Sequence, residues 1–162
     1  MKNYLSLLCF LLVFNLSSYA QIMMEKKKLI EKYGPAFTTG ISDNGSEYLS
    51  YEKVDEGLLG DVIIKTTLYY FIKHNDSIDI CSHFKLILPS SETPFYILWL
   101  NDKMEYQGNL KWKEPTSDYS YKVQVTEPFL ALTIFFDGEG VTETFKETES
   151  FSKIYYLNPE KN

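Results

Sequence analysis

The sequence predicts an α+β fold: a two-layer sandwich of helices packed on an antiparallel sheet, with an internal αβββ-αβββ repeat. Three observations predict it. An amphipathic segment early in the chain is closed by Gly34-Pro35. A second apolar segment, with capping residues on both sides, stands near the middle. Each is followed by runs in which apolar and polar residues alternate, the period of a half-buried strand.

Taken in order, residues 22–33 place Ile22, Leu29, Ile30 and Tyr33 at helical spacing among lysines and glutamates. Gly34-Pro35 ends that helix, because proline cannot continue it. Residues 36–45 read as a loop closing on the turn Asp43-Asn44-Gly45. Strands are expected at 46–54, 62–73 and 78–88, the last two joined through the turn His74-Asn75-Asp76-Ser77. Pro89 to Pro94 supplies hydroxyl caps and a first-turn proline, so Phe95 to Met104 is expected as the second helix, with Gly108 as its stop. The short apolar run Tyr96–Leu100 also fits a buried strand. Three more strands follow at 110–114, 121–126 and 129–136. The last is almost wholly apolar, the mark of a central strand covered on both faces. Mixed residues at 141–157 offer edge pairing, and Asn158 to Asn162 forms a tail.

The first twenty residues read as a cleaved signal peptide. Lys2 gives a basic start, Tyr4 to Leu16 an apolar stretch, and Ser18-Tyr19-Ala20 a small-x-small cleavage site before Gln21. Residues 21–162 then form a single domain, periplasmic or secreted, with no stable membrane insertion after cleavage. The only cysteine early enough to be considered for lipid attachment, Cys9, lies inside the apolar stretch, so a lipoprotein is not expected. Only Cys81 remains after cleavage, so the domain holds no internal disulfide.

All 16 basic residues are lysine, and the net charge is −6. An acidic, arginine-free chain lacks both the clustered positive charge and the guanidinium fork that phosphate recognition uses. Nucleic acid is therefore excluded as a partner. The 13 tyrosines and 11 phenylalanines suit sheet packing, and they also suit a binding face. Tyr48, Tyr51 and Trp112 are the candidate interface aromatics.

One group of residues has a chemical flavour. Asp79, Cys81 and His83 alternate along a strand, which would put all three on one face. Neighbours on such a face stand roughly 6.6–7 Å apart, too far for a cysteine–histidine pair without bending. The group is read as a polar cluster. No catalytic, cofactor-binding or metal residue is assigned, and no cofactor is expected. The acidic stretch Glu139, Glu143, Glu147 and Glu149 has no calcium-loop spacing and reads as a solvated edge.

The segment Glu31-Lys32-Tyr33-Gly34-Pro35, followed by Gly45-Ser46-Glu47-Tyr48-Leu49-Ser50-Tyr51, resembles the opening of the small outer-membrane assembly lipoproteins. It is similar also to the β-lactamase-inhibitor-like fold. The resemblance covers about residues 25–53. It implies an exported, non-enzymatic, protein-contacting module. The expected function is thus an exported binding or interaction module whose partner is another protein or a small ligand. The alternatives are a small exported hydrolase and an inhibitor or immunity-type protein.

Overall fold

The computed structural model describes residues 21–136, apart from 44, 58, 59, 76 and 77. The signal peptide expected at 1–20, the acidic stretch Glu139–Glu149 and the pairing expected within 141–157 lie outside the described residues.

Helix α1 (Lys26–Tyr33) precedes four strands: β1 (Thr38–Ile41), β2 (Glu47–Glu56), β3 (Val62–Asn75) and β4 (Ile78–Pro89). A single 3₁₀ turn, Ser90–Glu92, opens helix α2 (Thr93–Lys103), and four more strands follow: β5 (Glu105–Gly108), β6 (Lys111–Lys113), β7 (Tyr119–Thr126) and β8 (Phe129–Phe136). All eight strands form one sheet in the order β1-β2-β3-β4-β8-β7-β6-β5, antiparallel throughout. A helix followed by a four-strand meander therefore occurs twice. The two meanders join through β4 and β8, with Leu86 opposite Leu132 near the middle of the seam.

This architecture corrects the two-layer α+β sandwich expected from the sequence. One large antiparallel sheet dominates, and the two α-helices among the described residues are only eight and eleven residues long. At ~1.5 Å per residue they measure ~12 and ~17 Å, whereas eight strands at ~4.8 Å spacing span ~38 Å, so these helices cannot roof the sheet. They dock through the fully buried Leu29 and Leu100, with Tyr96, Ile97 and Trp99 of α2 packed half-buried against the core. Each half also holds four strands rather than three. β1 lies in the segment read as a loop, and β5 in the segment read as the end of the second helix. Both are four-residue edge strands whose order comes from pairing with β2 and β6 rather than from local pattern.

The helix ends follow the sequence signals. Gly34, at φ 83°, donates its N–H to Ile30 O and ends α1 in a conformation that glycine adopts without strain. Pro94 sits in the first turn of α2. No helix among the described residues is long and apolar enough to cross a membrane.

On the helix side the core runs across the sheet through Leu49, Tyr69, Phe84, Leu88, Trp112, Tyr121, Val123, Leu130, Leu132 and Ile134, closed by Leu29 and Leu100. Beyond the end of β8, the edge of β4 is taken by the start of the domain. Met23 donates to Cys81 O at 2.7 Å, Cys81 donates to Met24 O at 2.8 Å, and Glu25 bridges Ile80. Ile22 is buried there, and the Gln21 amide donates to the Tyr33 hydroxyl. The residue expected to follow the cleavage site is thus packed into the domain.

Candidate functional site

The face of the sheet opposite the helices carries the most distinctive group of side chains. The strand registers place them in rows. One row runs Tyr48, Tyr70, His83, Phe135, Ser120 and Lys113, each paired with the next across adjacent strands. The neighbouring row runs Ser50, Leu68, Lys85, Thr133, Lys122 and Lys111.

Aromatic stacking organises the first row. The His83 ring lies parallel to Tyr70 with centroids 4.4 Å apart, and Tyr48 follows Tyr70 at 5.7 Å. Tyr48 also lies against β1, where an added Cβ on Gly40 would come within 2.5 Å of its hydroxyl. Glycine at 40 is what lets that ring sit there. Lysines flank the row: Lys85 Nζ lies 5.7 Å from the Tyr70 ring and Lys111 Nζ 5.3 Å from the Phe135 ring, both within cation–π range. His83 and Lys85 are almost completely buried, at 3% and 2% exposure. Burial, and then the charge of Lys85, pull the His83 pKa down to about 3. Burial pulls Lys85 down to about 8.

The alternation expected to hold Asp79, Cys81 and His83 on one face is broken by a bulge. Tyr70 pairs His83 and Phe71 pairs Cys81, so Ser82 is the extra residue on β4. His83 therefore shares the far face with Tyr70, while Cys81 shares the helix side with Phe71. Cys81 is fully buried among core residues, its thiol donates to His83 O at 3.4 Å, and burial pushes its pKa up to about 12. A buried, protonated thiol with the His83 imidazole on the opposite face is poorly placed to act as a nucleophile. Asp79 pairs Lys73 and lines a shallow cleft with Thr39 and Glu47. The three residues are not brought together.

Ser82 Oγ does lie 2.9 Å from His83 Nδ1 and donates to Tyr70 O. The serine is even more deeply buried than the histidine, and an imidazole held near pKa 3 is a weak base at neutral pH. The contact orders the bulge. Among the described residues, no three histidine, cysteine, aspartate or glutamate side chains group as metal ligands.

The candidate interface aromatics separate. Tyr48 is on the far face, half-buried. Tyr51 is on the helix side, half-buried, and donates to Gly34 O at 3.0 Å. Trp112 is fully buried on the helix side, donating to Asn101 Oδ1 at 2.9 Å. Sequence reasoning did not single out Tyr70, Lys85, Lys111, Lys122 or Phe135. Alternation assigns each to a face of its own strand, but only the pairing order shows that these faces coincide.

At the other end of the same face exposed apolar side chains stand beside the exposed Glu52 and Glu56. Val54 pairs Ile64 on β2 and β3, at 66% and 60% exposure, and Pro89 pairs Phe129 on β4 and β8. Val62, beside them, is also exposed. Comparison with protein-family models, curated proteins and solved structures finds no match for this chain.

Proposed function

We propose that this chain is an exported, non-enzymatic interaction module that docks another protein through the apolar row Val54, Ile64, Pro89 and Phe129, of which Val54, Ile64 and Phe129 are exposed. The carrying observation is that row. Val54, Ile64 and Phe129 stay open to water on a face that buries Tyr70, His83, Lys85 and Phe135 at its other end. Burying a valine, isoleucine or phenylalanine side chain is worth about 1.5–3 kcal/mol, so an unpartnered row of them favours a complementary apolar surface. Two further observations support the reading. Met1 to Ala20 has the n-region, apolar stretch and cleavage site of an export signal. The residues with nucleophile chemistry are separated by the Ser82 bulge and buried.

The test is affinity capture from the exported fraction of the source cells. The mature chain is compared with Val54→Asp/Ile64→Asp and with the helix-side control Glu31→Ala. A protein retained by wild type and by the control, and lost with the double variant, is the expected result. Capture that is indifferent to Val54 and Ile64 overturns the assignment of the row. Export is checked separately, by N-terminal sequencing that should begin at Gln21.

A further inference from the structure

The two edges of the sheet end differently. β5 closes one side with the exposed carboxylate of Glu105 and a bulge between Tyr106 and Gly108, two devices that discourage a further strand. β1 closes the other side with neither. Residues 34–42 hold no charge, the register of β1 on β2 is regular from Thr38 to Ile41, and Phe37 and Ile41 are each 68% exposed. We propose that β1 is a self-pairing edge. It joins antiparallel to β1 of a second copy of this chain, so that two eight-stranded sheets become one across a two-fold axis at Gly40.

Backbone alternation sets the register. Ser42 donates its N–H to Ser46 O at 2.8 Å, on the β2 side. Bonded positions alternate along an antiparallel ladder, so Thr38 and Gly40 also turn their backbone groups to β2, and Thr39 and Ile41 turn theirs outward. Every outward group is used when Thr39 faces Ile41 of the second copy and Gly40 faces Gly40. Setting Thr39 opposite Thr39 instead would bring Ile41 to Phe37, whose N–H is already donated to Ser50 O at 2.9 Å. A second copy is the occupant because it brings a glycine to the axis. The Tyr48 ring lies across β1, its hydroxyl 2.5 Å from where a Cβ on Gly40 would stand. A side chain on the facing residue would point toward that ring on the same face, and a facing glycine leaves the space open. Charge agrees. The uncharged strand meets itself without like charges, and Asp43 of the second copy falls opposite Phe37, ~20 Å along the strand from Asp43. On the helix side the exposed Ile41 lies against Thr39 of the second copy. The proposal is independent of the apolar row, which lies on β2, β3, β4 and β8.

The experiment uses residues 21–162. Sedimentation equilibrium up to about 1 mM, where small interfaces associate, should show monomers in equilibrium with dimers. Hydrogen exchange over the same concentrations should slow at the Thr39 and Ile41 amides and stay unchanged at Gly40, which bonds to β2. Thr39→Pro removes an outward donor, and Ile41→Lys puts a charge on the edge of each copy. Each should weaken dimerisation by about tenfold or more, while Tyr106→Lys on the opposite edge leaves it unchanged. Circular dichroism checks that each variant folds, and Ile41→Lys, at an exposed position, carries the comparison if Thr39→Pro does not. A chain that stays monomeric at about 1 mM overturns the proposal. So does a dimer indifferent to Ile41→Lys, or one lost with Val54→Asp/Ile64→Asp. A monomer that loses a captured protein with Ile41→Lys gives the edge to that protein, and overturns the proposal too.

Discussion

At the scale of single residues, His83 couples this fold to pH. Its ordinary pKa of 6.5 falls to about 3, because burial opposes the charged ring and Lys85 stands beside it. The unfolded chain takes up a proton near pH 6.5 and the folded chain only near 3. The contribution of the neutral ring is therefore complete above pH 6.5 and is lost progressively as the pH falls toward 3. Each pH unit in that window changes stability by up to about 1.4 kcal/mol. Between pH 6.5 and about 4.5, above the range where most carboxylates titrate, urea melts of the wild type should show falling stability. His83→Gln should be flat over the same interval. A wild-type curve as flat as the variant's would mean that the ring is not held neutral by burial. Cys81 shows the same environment on the other side of the sheet, where burial alone keeps the thiol protonated.

At the scale of elements, α2 makes the clearest contrast. Its eleven residues are apolar almost all round, so periodicity does not say which face docks. In the fold Leu100 is fully buried and Leu98 is 66% exposed. Leu100→Ala should cost about 2–5 kcal/mol in a urea melt, through lost transfer energy and the cavity left behind. Leu98→Ala should stay within about 0.5 kcal/mol. Equal effects would mean that the helix is rotated about its axis. The edge strands β1 and β5 teach a related lesson. Thr38–Ile41 and Glu105–Gly108 carry a glycine each and almost no apolar alternation, so they read as loop and helix end. A neighbouring strand with unpaired backbone groups recruits them.

At the scale of the whole molecule, the two meanders share one seam and one core. Seven residue pairs join β4 to β8, from His83–Phe135 to Pro89–Phe129. The helix-side core runs unbroken from Leu49 to Trp112. The domain should therefore unfold in one cooperative step. Trp99 and Trp112 report only on the second half. Tryptophan fluorescence and far-ultraviolet circular dichroism should give coincident urea transitions for residues 21–162. Leu132→Ala, at the seam, should shift both by the same amount. Two resolved transitions would mean that each helix-and-meander unit is stable alone.

The sequence by itself determined what depends on neighbours along the chain. Gly34-Pro35 closed α1, Pro94 opened α2, and alternation marked β2, β3, β4 and β7 to within a few residues. The almost wholly apolar run Phe129–Phe136 marked β8 as central. Only the tertiary structure decided what depends on pairing. It joined eight strands into one sheet where helix-covered layers were expected, because short helices cannot roof so wide a surface. It turned Cys81 and His83 to opposite faces, because one unpaired residue, Ser82, reverses the alternation that spacing alone assumes. It assembled Tyr70, His83, Phe135 and their lysines from four strands. Register between strands distant in sequence is set by the burial of whole faces, and no local pattern records it.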